Sequence, residues 1–218
     1  MSTLGPRLLV VAKAPVAGQA KTRLARHVGS QVAAELAAAS LLDTLRACVE
    51  AAGEGSCHAA LTGDLDDAVR GDEIRRALAG WTVREQRGDD FATRLTNAHL
   101  DLPGDRPVVQ VGMDTPQVRP EMLTAAGALT TDHEAVLGPA PDGGWWVLAL
   151  RDPASARPLA TVEMSTATTY DDTRRALEAD GLRVGTTAEL RDVDTVDDAE
   201  IVAADAPGTE FARVWGAR

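Results

Sequence analysis

Hydrophobic and polar positions alternate along this chain in two rhythms. Short apolar runs give strands, and three-to-four-residue spacing gives helices. Arg7-Leu8-Leu9-Val10-Val11-Ala12 is apolar and β-branched enough to be a buried strand, and it breaks at the turn Ala14-Pro15-Val16-Ala17-Gly18. A long alanine-rich helix follows over roughly Ser30 to Ala52, with Leu41, Leu45, Cys48, Val49 and Ala52 as its inward stripe. Gly53-Glu54-Gly55 ends it, and Ser56 to Leu61 reads as the second strand. An amphipathic helix is predicted over Asp67 to Ala79, then a short strand from Trp81 to Glu85. Asp89 or Asp90 can cap a helix reaching Leu102, with Phe91, Leu95 and Ala98 on one face. Further strands are predicted at Val108–Val111, Glu134–Leu137, Trp145–Leu150 and Leu182–Val184. Helices are expected from Pro120, from about Tyr170 to Ala179, and after Asp194 or Thr195. Arg151 to Thr168 is the least regular stretch and reads as an excursion over the sheet edge.

Strands alternating with helices predict an α/β fold: a mainly parallel sheet with helices on both faces, a three-layer α/β/α sandwich. No linker or repeat interrupts residues 1–218, so the reading is a single domain. Only one Tyr and two Phe are present, so Leu, Val and Ala must build the core. The net charge of −11 argues against nucleic acid or an anionic membrane surface as a bulk partner. No signal-peptide pattern or membrane-length apolar run is present, and the chain reads as soluble and cytoplasmic. Cys48 and Cys57 make no disulfide framework and read as buried small hydrophobes.

Four stretches could carry chemistry. In the first, Lys21, Thr22 and Arg23 lie between the turn after the first strand and the helix beyond. Two cations at a helix start oppose the helix dipole, so they need a reason there; a bound phosphate would supply one, and solvated surface cations are the plainer alternative. The spacing fits neither a P-loop nor a dinucleotide fingerprint. In the second, Asp114 ends the strand Val108–Val111 within Gly112-Met113-Asp114-Thr115-Pro116, either as a turn cap or as a Mg²⁺ ligand. In the third, Asp142-Gly143-Gly144 precedes Trp145 and Trp146, which must face opposite sides of their strand. That stretch is either a plain hairpin or a place where backbone approaches a ligand. The fourth, Arg191-Asp192-Val193-Asp194-Thr195-Val196-Asp197-Asp198, is an acidic helix cap that could also complete a metal site if it folds back on Asp114. No zinc-ligand spacing and no nucleophilic triad signature accompanies these.

Taken in order, these motifs resemble a bacterial family of GT-A-like transferases, often labelled glycosyltransferase or rSAM/selenodomain-associated transferase. The likeness runs from Val10 to about Ala199 and adds Gln86-Arg87-Gly88-Asp89…Arg94-Leu95 to the four stretches. The family is similar to 2-phospholactate guanylyltransferase and, more remotely, to molybdenum cofactor guanylyltransferase. The resemblance implies a nucleotide-diphospho-sugar transferase fold. It implies a nucleotide held by Ala12, Lys13, Pro15, Gly18, Lys21, Arg23, Gly88 and Arg94, with Lys21 and Arg23 on the phosphates. It also implies Mg²⁺ (or Mn²⁺) on Asp114 with Asp192 or Asp194 nearby, and a small-molecule acceptor beside Asp142, Gly143, Gly144 and Trp145. Met113 stands where the family usually has serine, Trp145 where it commonly has tyrosine, and Glu163-Met164-Ser165-Thr166 where it has Trp-Ser-Thr. The expected reaction is nucleotidyl transfer from a nucleoside triphosphate to a small phosphorylated or carboxylated acceptor, Lys21, Arg23 and Asp114 acting at the phosphates. Glycosyl transfer from a nucleotide sugar is the alternative, and nucleotide binding without catalysis is a second.

Overall fold

The computed structural model describes residues 5–218. Its strands are β1 (Arg7–Lys13), β2 (Cys57–Thr62), β3 (Thr82–Glu85), β4 (Val108–Val111), β5 (Ala135–Pro139), β6 (Trp145–Leu150) and β7 (Val184–Thr186). They form one sheet in the order β3-β2-β1-β4-β6-β5-β7. Every neighbouring pair is parallel except the two made by β6, which runs against β4 and β5. Parallel strands are buried on both faces, which is why Leu8 to Val11 and Val108 to Val111 are continuous apolar runs broken only by Gln110.

The helices are α1 (Thr22–Val28), α2 (Ser30–Ala52), α3 (Gly71–Ala77), α4 (Phe91–Leu100), α5 (Pro120–Leu129), α6 (Thr169–Ala179), α7 (Val196–Asp205) and α8 (Glu210–Gly216). Helices α2, α3 and α5 cover one face of the sheet, where Leu41, Leu45, Ile74 and Leu123 pack on Val10, Val109 and Val147. Helices α4 and α6 cover the other with a 3-10 segment, Pro153–Thr161, packed between them. Outside α2 lies a further cluster of Leu24, Leu36, Val193, Val202, Phe211 and Trp215 from α1, α2, α7, α8 and the irregular segment before α7.

Several expectations are corrected. The helix predicted from Asp67 begins only at Gly71, because the Val69 N–H donates to the Pro15 carbonyl (3.0 Å) and Arg70 takes a left-handed conformation, φ 58°. The last strand is Val184–Thr186, since Leu182 N–H closes the end of α6 on Leu177 O (3.2 Å). The irregular stretch covers a sheet face, not an edge. Helix α8 follows the helix expected to be last. Its first N–H groups, of Glu210 and Phe211, donate to the buried carboxylate of Asp43 at 3.0 and 2.9 Å, a long-range cap with no local sequence signal. Cys48 and Cys57 are buried free thiols, and burial pushes the Cys57 thiol up to about 12. Among the described residues, no helix is long and apolar enough to cross a membrane.

Candidate active site

Strands β1, β4, β5 and β7 end at one edge of the sheet, and antiparallel β6 starts there, since Val111 pairs with Val147 and Pro139 with Trp145. In open α/β sheets, ligands sit beyond the carboxyl ends of the strands. A cleft of about 280 Å³ opens at this edge, lined among others by Asp114, Asp142, Asp192, Asp194, Arg23 and Trp145. A second cleft of about 270 Å³ adjoins it, lined by Lys13, Lys21, Arg23, Asp114 and Asp194 among others.

The acidic segment reaches Asp114 by lacing across the strand ends. Thr187 N–H donates to Leu137 O (3.0 Å), Leu190 N–H to Pro139 O (3.1 Å) and Val193 N–H to Asp114 O (2.9 Å). Val193 is fully buried, and its neighbours Asp192 and Asp194 both line the cleft. Thr195, not Asp194, caps α7, in a capping box with Asp198 that leaves Asp194 free for other contacts. The turn carrying Asp114 is fixed from the other side by the Ser40 hydroxyl, which donates to Met113 O at 2.6 Å.

Lys21 is the hub of this end of the site. Its ammonium lies 2.6 Å from Asp114 Oδ1, donates to Asp194 Oδ1 at 3.2 Å, and donates to the Val193 carbonyl. Its side chain is only 8 % exposed. Burial alone would lower its pKa, but the charges of Asp114 and Asp194 and the hydrogen bonds to them outweigh this and raise it. Lys21 therefore stays protonated, and its donors point at protein carboxylates, not at an open phosphate cradle. It is also left-handed, φ 48° and ψ 48°, a costly backbone for a non-glycine residue and one that clusters at functional sites. The helix beginning after it is α1, seven residues long and separated from α2 by Gly29 at φ 85°. The long helix starts at Ser30 as its spacing predicts, so the helix dipole beside Lys21 and Arg23 is that of α1. Arg23 is the more exposed cation of the pair: 71 % exposed, it donates to Asp194 Oδ2 at 3.2 Å and lines both clefts.

The hairpin between β5 and β6 supplies the opposite wall. Asp142 Oδ1 accepts from Gly144 N–H at 2.7 Å. Gly143, at φ 89°, passes so close to Ala167 that a Cβ would strike its backbone. Glycine here serves a backbone approach to another loop of the protein. Trp145 lines the cleft, donating through Nε1 to Thr173 Oγ1 at 3.2 Å; Trp146 points into the opposite core and donates to Ala188 O at 2.9 Å, yet also touches the cleft. Burial, then the charges of Asp142 and Asp194, push Asp192 up to about 6, against a downward pull from Lys21.

Other sequence-derived site residues are more dispersed. Ala12 is buried in β1, and Pro15 and Gly18 lie in the turn that follows it. Lys13 donates through Nζ to Gln19 O at 3.4 Å and faces the second cleft. Gly88, at φ 137°, abuts Thr93 and the Arg94 backbone at the start of α4, and the Arg94 guanidinium lies 5.9 Å from the Phe91 ring centroid. Neither Gly88 nor Arg94 lines the principal cleft. Sequence reasoning assigned no site role to several of its walls, among them Phe91, Gln110 and Thr169. One signal was available, a glutamine inside an otherwise apolar buried strand. Thr115 is 3 % exposed and its hydroxyl has no partner among the described residues.

Solved structures share this architecture. A protein from Desulfovibrio desulfuricans G20, assigned as a nucleotide-diphospho-sugar transferase, superposes with a TM-score of 0.81 at 24% identity, covering 96% of this chain and 91% of its own. CMP:2-keto-3-deoxy-manno-octonic acid synthetase, solved with CTP, gives 0.59 at 13% identity, covering 93% and 99%. Rv0371c of Mycobacterium tuberculosis H37Rv, solved with manganese, gives 0.52 at 20%, covering 90% and 97%. At these identities the likeness establishes the fold: that of the nucleotide-diphospho-sugar transferases. No curated protein matches the sequence. The profile of the family described as "Uncharacterized protein conserved in bacteria" (DUF2064) matches residues 44–166, more than half of the sequence, and the chain belongs to that family.

Proposed function

We propose that this protein is a divalent-metal-dependent transferase that uses a nucleotide donor, and that its reaction is nucleotidyl transfer from a nucleoside triphosphate with release of pyrophosphate. The observation that carries this reading is the convergence of Asp114, from the end of β4, with Asp194, Lys21 and the exposed Arg23 where the two clefts adjoin. Such chemistry needs positioning and charge neutralisation and no protein nucleophile. The fold shared with a CTP-bound synthetase supports it.

The donor set suits Mg²⁺ or Mn²⁺. Asp114 is 42 % exposed, gives one oxygen to Lys21, and its other oxygen accepts no hydrogen bond from the described residues. No three His, Cys, Asp or Glu side chains form a closed cage among the described residues. An ion held by Asp114 and Asp194 would take its other ligands from phosphates and water, the usual manner of Mg²⁺. When bound, it would neutralise charge on the phosphates. Arg23 would pair with the outer phosphates. Lys21 would hold the two carboxylates at a fixed spacing and shift towards the phosphates as they arrive.

Isothermal titration calorimetry tests the reading, with nucleoside triphosphates, nucleotide sugars and Mg²⁺ as titrants. Metal-dependent triphosphate binding is expected, with pyrophosphate release once an acceptor is added. Asp114→Asn should weaken metal-dependent binding by one to two decades, the cost of losing about 1.5–3 kcal/mol of charge-assisted contact, while circular dichroism stays native. Tight nucleotide-sugar binding with no triphosphate binding would transfer the case to glycosyl transfer. Binding without turnover of any acceptor would leave a nucleotide-binding protein.

A further inference from the structure

Lys21 and Arg23 pair with Asp114 and Asp194 at one end of the cleft, the end to which the transferase reading assigns the donor phosphates. The donor's reacting phosphorus therefore faces the remainder of the cleft. Beyond the Asp114–Asp194 pair, that remainder is walled by Asp142, Asp192, Thr115, Thr166, Thr169 and Trp145, and among the described residues no Lys, Arg or His other than Arg23 lines it. The Thr115 hydroxyl, buried and without a partner among the described residues, is available to a ligand there. Asp142 and Asp192 form no ion pair with a cation among the described residues, so desolvating a phosphate or carboxylate against them is unfavourable, and like charges brought together disfavour the partner that carries them. Hydroxyl groups fit the same wall, because carboxylate oxygens accept from O–H and a threonine hydroxyl both donates and accepts. The half-buried ring of Trp145 offers an apolar face beside them.

Resting on the transferase reading above, we infer that the acceptor is a hydroxylated small molecule carrying no anionic group, and that a hydroxyl is its nucleophile. The anionic acceptor expected from the sequence does not fit this wall. The carboxylates also meet a chemical need. A phosphate acceptor already presents an ionised oxygen, whereas a hydroxyl must lose its proton. The acceptor oxygen attacks the α-phosphorus and forms the new O–P bond. The bond from that phosphorus to the bridging oxygen of the β-phosphate breaks, and pyrophosphate leaves with its electron pair. The hydroxyl proton passes to the carboxylate of Asp142, and from there to water.

Matched acceptors test this, using the full chain with Mg²⁺ and a triphosphate that calorimetry has shown to bind. One set is glycerol, 2-amino-1,3-propanediol, glycerol 3-phosphate and glycerate. The other is glucose, glucosamine, glucose 6-phosphate and gluconate. Pyrophosphate release gives kcat/KM, and saturation-transfer NMR with a non-hydrolysable triphosphate ranks binding for compounds that do not turn over. The uncharged or amine-bearing members should exceed their anionic counterparts by about tenfold or more, the order expected from like-charge repulsion. In Asp142→Asn, which keeps the oxygen that holds the Gly144 N–H, and in Asp192→Asn, that ratio should narrow several-fold even as turnover falls. Preference of the wild type for a phosphorylated or carboxylated member, or no binding by any uncharged or amine-bearing one, overturns the inference. Neither result touches the triphosphate titration, whose failure would instead sink the transferase reading.

Discussion

At one end of the cleft, Asp114 and Asp194 share the ammonium of Lys21, and Arg23 reaches Asp194 from the solvent side. At the other end, Asp142 and Asp192 lie near one another with no ion-pair partner among the described residues, and burial, then the charges of Asp142 and Asp194, raise the pKa of Asp192. The same side chain is thus a structural member in one place and an electrostatic liability in the other. The balanced end can be held together without a ligand. The unbalanced end is kept although it costs stability, which is the usual mark of a group retained for what it binds.

The sharpest way to break this comparison is Lys21→Ala. It leaves two carboxylates facing each other across the space the ammonium filled. Breaking a buried pair costs about 3–5 kcal/mol, and the lower figure applies because Asp114 and Asp194 keep contact with water. Urea unfolding should show that loss, and millimolar Mn²⁺ should restore part of it in the variant while moving the wild type less. An unchanged midpoint without metal would mean that the balanced end is not held by Lys21.

Asp192→Asn should act in the opposite direction. A carboxyl whose folded pKa lies near 6, above its unfolded value near 3.8, makes the wild type lose stability as pH rises from about 4 to about 6, the deficit persisting above. The variant should therefore be more stable than the wild type at pH 7.5 by about 1 kcal/mol, after allowance for screening at a half-buried site. The advantage should vanish below pH 4. Thermal melts in metal-free buffer across that range would reveal it, and a variant less stable at every pH would contradict the assignment.

The smallest stability effect belongs to Arg23→Ala. An exposed ion pair contributes about 0–1 kcal/mol, so the melting temperature should scarcely move. Triphosphate affinity should nevertheless fall by about tenfold and that of a nucleoside monophosphate by much less, because only the former reaches Arg23. Equal losses for both ligands would place Arg23 away from the outer phosphates.

Local patterns made most of the scaffold legible. The strands Val108–Val111 and Trp145–Leu150 and the helix Ser30–Ala52 stand where hydrophobic spacing puts them, because each signal is contained in its own segment. Asp114 was legible for the same reason: a carboxylate directly after a buried strand must emerge at a sheet edge. Less legible was the company each charge keeps. Lys21 and Asp194 are 173 residues apart in sequence, and nothing local tells a cation bound to a phosphate from one held by distant carboxylates. The Asp43 cap on α8 has the same character, joining residues 167 and 168 positions apart.

By itself, then, the sequence determined the α/β alternation, the buried strands and the positions where polar groups break an apolar run, since periodicity and turn chemistry act over a few residues. The tertiary structure alone decided that antiparallel β6 brings the Asp142 hairpin to the edge where β4 ends, that the segment after β7 laces back over it, and that Lys21 turns inward between two carboxylates. The physical reason is that strand order and charge pairing are settled by which surfaces pack together in space. Coulomb interaction depends on that distance, not on separation along the chain.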